Sequence, residues 1–194
     1  MKKKYWIILL IIVLGISGIF FYKSRVKNSK IGNNKTSQEI VDNILNISSY
    51  EVNITVNVTS NKNSNKYVLK QTYQNPNKST QEVIEPSNIA GVKIENDGTS
   101  TKIENSQLDL STILDNYNYL GDNCLDLYSF IEDYKKEEKS QFEENDTEIV
   151  MKTNNKTLHI DKKTHNPTQM EIKDNKQKTT IYILYNEVKV NSTK

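Results

Sequence analysis

Nine consecutive residues, Tyr50–Val58, alternate between apolar and polar without a break. Tyr50, Val52, Ile54, Val56 and Val58 are apolar, and Glu51, Asn53, Thr55 and Asn57 lie between them. Successive side chains of a strand point to opposite faces, so this pattern makes one oily face and one wet face. A helix would scatter the same five apolar residues around its axis. A chain that contains such a strand has to build a one-sided antiparallel sheet and find a cover for its oily side.

The segments on either side fit that requirement. Thr36-Ser37-Gln38-Glu39 reads as a capping box at a helix start, with Thr36 as the flanking cap. Ile40, Val41, Ile44 and Leu45 then predict a short amphipathic helix packed against the sheet. After the lead strand, Lys66–Gln74, Thr80–Glu85, Gly91–Glu95 and Thr99–Glu104 read as strands. Asn75-Pro76-Asn77, Pro86 and Asn96-Asp97-Gly98 punctuate them, and Asp-Gly suits a tight hairpin. Leu108, Leu110, Ile113, Leu114, Tyr117 and Leu120 predict a helical turn or two. Leu125, Tyr128, Phe130, Ile131 and Tyr134 predict a second short helix. The whole aromatic-rich segment Leu108–Tyr134 is the natural cover. Strands resume at Glu148–Lys152, Thr157–Asp161, Thr168–Lys173 and Thr179–Val190. The last is apolar on both faces at its middle, which predicts a central or doubly covered strand. The expected class is mainly β (α+β): a curved antiparallel half-barrel with short covering helices.

The N-terminus is of another kind. Lys2–Lys4 precede Tyr5–Tyr22, which carries no charge. Eighteen helical residues span about 27 Å, enough for a thin hydrocarbon core. Tyr5 and Trp6 at one end and Phe20, Phe21 and Tyr22 at the other match an aromatic belt, with Leu9 and Ile12 between them. Residues 1–27 therefore read as a transmembrane anchor. A signal peptide cleaved near Gly15, Ser17 and Gly18 is the rival reading. Residues 28–35 form a polar tether, and residues 36–194 the β domain. Seven of the 26 basic residues lie at or before position 30, where no acid lies, so the other 19 face 24 acids and the remainder carries −5. That distribution argues against nucleic acid and fits a basic stalk at an anionic membrane. The larger basic count after the span favours a cytoplasmic domain, whereas a signal-anchor before a β-rich domain favours the outside. A single-pass protein of the cytoplasmic membrane with its domain on the extracytoplasmic side is expected.

Catalytic signatures are missing from the sequence. Cys124 is alone, which leaves no disulfide framework or thiolate metal site. His159, Asp161 and His165 are the nearest approach to a metal set, with no third imidazole in the chain. Glu143, Glu144, Asp146 and Glu148 do not follow a Ca²⁺-loop spacing and read as a solvated loop. No phosphate loop, dinucleotide fingerprint, Gly-x-Ser-x-Gly or His-Glu-x-x-His occurs. The chain is expected to be no enzyme and to use no cofactor.

Two blocks carry a resemblance. One runs through Asn46-Ile-Ser-Ser-Tyr-Glu-Val, Tyr73-x-x-Pro76, Glu82-Val-Ile-Glu-Pro86 and Gly91–Gly98. The other is Leu158–Pro167 with Thr179–Val190. Together they resemble the clostridial germination lipoproteins of the GerS group, which are similar in fold to the lipoprotein carriers LolA and LolB. The resemblance implies a half-barrel plugged by helices and a non-enzymatic partner of a spore-cortex amidase, acting in sporulation and germination. The carrier group implies instead a lipid or lipoprotein acyl chain in the concave face. The chain departs from the GerS pattern in having no lipobox cysteine after Leu14-Gly15. Val56, Leu69, Tyr117, Tyr128, Phe130 and Ile183 are the candidate residues of the concave face or its lid. A carrier needs a dry open cavity there, whereas an interaction protein fills it with its own side chains. Unpaired edge strands can accept a partner strand or a second copy.

Overall fold

The computed structural model describes residues 30–192 apart from 32–34, 61–62, 75, 77, 106, 116–124, 139 and 175–177. The strands in chain order are β1 (Lys30–Ile31), β2 (Ile47–Thr59), β3 (Ser64–Gln74), β4 (Lys78–Glu85), β5 (Val92–Asn96), β6 (Ser100–Asn105), β7 (Leu110–Asp115), β8 (Phe142–Glu144), β9 (Glu148–Lys152), β10 (Lys156–Asp161), β11 (Pro167–Asp174) and β12 (Thr179–Ser192). Two helices, α1 (Lys35–Leu45) and α2 (Leu127–Lys136), complete the described chain. All strands join one antiparallel sheet in the order β1-β8-β9-β10-β11-β12-β2-β3-β4-β5-β6-β7.

The long strand β2 sits near the middle, between β12 and β3. Its pairing aligns Ile54 with Leu69 on one side and Tyr185 on the other. Tyr50, Val52, Ile54 and Val56 are all buried, as the alternation requires. Bulges interrupt the register between Asn186 and Lys189, between His159 and Ile160, and between Val68 and Leu69. Such insertions bend a strand and increase its twist, which curves the sheet around its covered face.

Both helices lie on that inner face. Ile40, Val41 and Ile44 of α1 are buried. In α2, Leu127, Phe130, Ile131 and Tyr134 are buried at i, i+3, i+4 and i+7, a single helical stripe. Asp126 caps α2 by accepting from the Tyr128 amide at 2.9 Å, and Lys135 and Lys136 oppose the dipole at its other end. One side of α1 is fixed by the buried Ser37, whose hydroxyl donates to Glu144, and Glu144 pairs with Lys162 at 3.0 Å.

Three expectations need correction. The helix predicted from Leu108 is strand β7 over Leu110–Asp115. A five-residue run such as Leu-Ser-Thr-Ile-Leu satisfies both periods, and the free edge of β6 decides for the strand. The cover is therefore α1 and α2, while Leu108, Leu110 and Ile113 are more than 60% exposed. Strand β12 is central, one of the two arrangements expected of it, with one face covered and Tyr182 and Leu184 exposed on the outer side. The first helix begins at Lys35, which puts Thr36 inside its first turn instead of at the flanking cap position.

The Asp97-Gly98 hairpin forms as predicted between β5 and β6. Gly98 takes φ 90°, where glycine has no steric penalty. Asp97 accepts from the amides of Ser100 and Thr99 at 2.8 and 2.9 Å, and these bonds hold its carboxyl well below the usual range.

Candidate binding surfaces

Among the described residues, the inner face at β2, β3 and β12 is covered by the chain itself. Val56 and Leu69 are 1% and 5% exposed, and Ile183 is fully buried. Phe130 of α2 is equally inaccessible. Tyr128 is half-buried, its ring centroid 4.4 Å from that of Tyr73, which in turn lies 5.5 Å from Tyr50. These stacked rings join α2 to β3 and β2. Tyr117 lies outside the described residues, as do Tyr5, Trp6, Leu9, Ile12, Phe20, Phe21 and Cys124. Among the described residues no helix is long and apolar enough to cross a membrane.

A polar clamp underlies α2. Lys156 of β10 is only 5% exposed, and its ammonium donates to Asp133 Oδ2 at 2.6 Å and Ser129 Oγ at 3.0 Å. Ser129 and Asp133 lie one helical turn apart, so a single buried cation grips one face of α2. Asp126 stands close by. Burial pushes its carboxyl up to about 6, opposed by the Tyr128 amide and by the Lys156 charge. Tyr185, on the sheet beneath, is pushed upward by burial and then by Asp126. The sequence reading missed Lys156, although Lys156, Leu158 and Ile160 share one strand parity and that parity is inward.

The outer face is wet and carries an open groove of about 740 Å³ across β12, β2, β3 and β4. Ser49, Thr72, Thr80 and Asn191 line it with hydroxyl and amide groups, and Lys78 and Lys189 stand at its rim. Glu51 is ion-paired to Lys70 at 3.2 Å, and its carboxyl is held low by that bond, by the Lys70 charge and then by Lys189. A hollow of about 330 Å³ continues the groove past Lys78 and Thr80 to Lys102 and Ile113.

Three of the four acids of the cluster pair with separate partners. Glu143 meets Lys152 at 2.7 Å, Glu144 meets Lys162, and Glu148 lies 3.0 Å from His159 Nδ1. His165 is exposed in the β10–β11 turn at φ 61°. Among the described residues no three His, Cys, Asp or Glu side chains are grouped to hold a metal.

Comparison with known proteins adds the family. The sequence profile of the family described as "Sporulation protein YdcC-like" matches residues 2–193. The chain belongs to the YdcC-like sporulation protein family. No curated protein sequence matches this YdcC-like chain. Among solved structures, it is similar to a chain in the complex of the CwlD amidase from Clostridioides difficile with the GerS lipoprotein. The identity there is 24% and the TM-score 0.48, covering 81% of this chain and 96% of that one. It is also similar to a LolA superfamily protein from Nitrosomonas europaea, at 12% identity and TM-score 0.43, covering 83% and 96%. A putative outer membrane lipoprotein-sorting domain from Vibrio parahaemolyticus follows at 10% identity and TM-score 0.43, covering 81% and 91%.

Proposed function

We propose that this YdcC-like protein is a non-enzymatic, membrane-anchored envelope protein that binds and supports a cell-wall amidase of the spore cortex. The observation that carries the choice is the burial of the inner face at Val56, Leu69 and Ile183. An acyl chain carried in the LolA manner would need room beside Val56, Leu69 and Ile183, and α1 and α2 occupy that room. Family membership supplies the sporulation setting. The amidase as partner comes from the hairpin landmarks that the sequence shares with the germination lipoproteins.

The test uses the full chain in detergent micelles, mixed with the cell's cortex amidases. Complex formation, amidase activity and extracted lipid are measured together. A stable complex that raises or sustains amidase activity, with no hydrolysis by this chain alone, is expected. Stoichiometric bound lipid without binding to any amidase would establish the carrier instead.

Tyr5–Tyr22 is proposed to stay attached and hold the domain outside the cytoplasmic membrane. The uncharged run and the poor cleavage residues support this. N-terminal sequencing of the cellular protein is expected to begin at or next to Met1, with the β domain open to external protease. Mature protein beginning near Ile19, or a protected domain, would show the reverse.

A further inference from the structure

The open groove on the outer face is built from two cross-strand rows. Lys189, Glu51, Thr72 and Thr80 lie abreast on β12, β2, β3 and β4. Asn191, Ser49, Gln74 and Lys78 form the next row on the same strands. Alternate residues of a strand share a face, so both rows point outward, while Tyr50 and Tyr73 between them turn inward and are 3% and 4% exposed. The groove of about 740 Å³ is therefore walled by hydroxyl, amide and charged groups. It offers an acyl chain no apolar wall and a protein partner no pocket for an aromatic anchor.

Charge narrows the ligand further. The Glu51 carboxylate is taken by Lys70 at 3.2 Å. Lys78 and Lys189 are exposed, and neither forms an ion pair among the described residues; the Lys189 charge reaches Glu51 only at longer range. With the Glu51–Lys70 pair cancelled, these two lysines leave the groove positive. Three strand spacings, roughly 14 Å, separate them. Glu51 stands on β2 between them. A polymer with a phosphate on every unit would set one of its anions against Glu51, and like charges repel. A polyhydroxyl chain with widely spaced anions fits both lysines and avoids that contact.

We infer that the outer groove binds a glycan strand that carries isolated carboxylates. Ser49, Thr72, Thr80 and Asn191 exchange hydrogen bonds with its hydroxyl and acetamido groups, and Lys78 and Lys189 meet its carboxylates. The hollow of about 330 Å³ past Lys78 and Thr80 gives the strand room to continue. This adds a ligand to the amidase reading and does not depend on it.

Two tetrasaccharides test it by calorimetry with the full chain in detergent micelles and no amidase present. One alternates N-acetylglucosamine with N-acetylmuramic acid, its lactyl carboxylates free. The other, chitotetraose, has the same length and no charge. The carboxylated glycan is expected to bind about ten-fold more tightly, the worth of two exposed charge contacts. Lys78→Gln/Lys189→Gln is expected to remove that difference and leave chitotetraose binding unchanged. Lys66→Gln/Lys163→Gln, the same loss of charge at exposed positions outside the groove, should preserve it. No binding of either sugar, equal affinities in the wild type, or a difference that survives Lys78→Gln/Lys189→Gln would overturn the inference. Tighter binding of a glycerol phosphate oligomer of matched length would overturn it in favour of a phosphate polymer. Failure of the amidase mixture leaves these titrations as they stand, and failure of the titrations leaves the amidase complex to its own test.

Discussion

Ile54→Asp is expected to leave the chain unfolded, and Asn53→Asp to leave its stability nearly unchanged. The two positions are adjacent on β2 but belong to opposite faces. Ile54 is fully buried, opposite Leu69 and Tyr185 on the neighbouring strands. A carboxylate there has no cation and no hydrogen-bond donor of its own. Even neutralised by protonation, it loses the apolar burial of isoleucine and leaves a polar group unpaired. The combined loss of roughly 5 kcal/mol is comparable to the whole stability of a domain. Asn53 faces outward, donating to Glu187 Oε2 at 2.9 Å. Aspartate there loses that bond and faces Glu187 across water, a surface effect of about 0.5 kcal/mol. A denaturant titration of both variants decides the matter. Equal midpoints would mean that the inner and outer faces of β2 are wrongly assigned.

How much of this was readable beforehand depended on whether the signal was local. The faces of β2 were legible because nine residues alternate in a strict period of two. Phe130, Ile131 and Tyr134 of the second helix were legible from their spacing, but the buried stripe starts at Leu127, which the reading passed over for Leu125 and Tyr128. Residues 110–115 were not, since Leu110, Ile113 and Leu114 fit a helix as well as a strand, and only the edge of β6 settles it. The middle of β12 is apolar on both parities, yet Tyr182 and Leu184 stay uncovered because both helices lie on the same side. Sequence cannot count the layers. The outer groove had no signal at all: Lys189, Thr72 and Lys78 come together only through the β12–β2–β3–β4 pairing. Alternation gave Val56 and Leu69 a face, whereas Ile183 was only named with them as a candidate; whether that face was open or covered depended on the paths of α1 and α2.

The clamp beneath α2 should give two stability effects of opposite sign. Lys156→Met keeps an unbranched side chain, one heavy atom shorter, and removes its charge. Asp133 loses its ion pair, Ser129 loses a donor, and Asp126 loses the cation that partly offsets its burial. Breaking a buried pair from one side costs about 3–5 kcal/mol; with the Asp133 side chain 42% exposed and able to hydrate, a loss of about 2–3 kcal/mol is expected. Asp126→Asn acts the other way. The folded carboxyl titrates near 6, against an ordinary value of 3.8, so between those pH values the folded state holds the proton more tightly than the unfolded chain. Stability therefore falls as pH rises through that window, and the ionised form above it costs at most about 3 kcal/mol. Asparagine caps a helix as well as aspartate does and carries no charge. The variant should match wild type at pH 4, gain through pH 4–6, and hold a level advantage of about 1–3 kcal/mol above. Urea titrations at pH 4, 5, 6 and 7.5 read this directly. An advantage independent of pH would place the Asp126 carboxylate in water. In the Lys156→Met background the advantage should widen, because the carboxylate has then lost its nearest cation, and two variants that simply add would show that Lys156 and Asp126 do not act on one another.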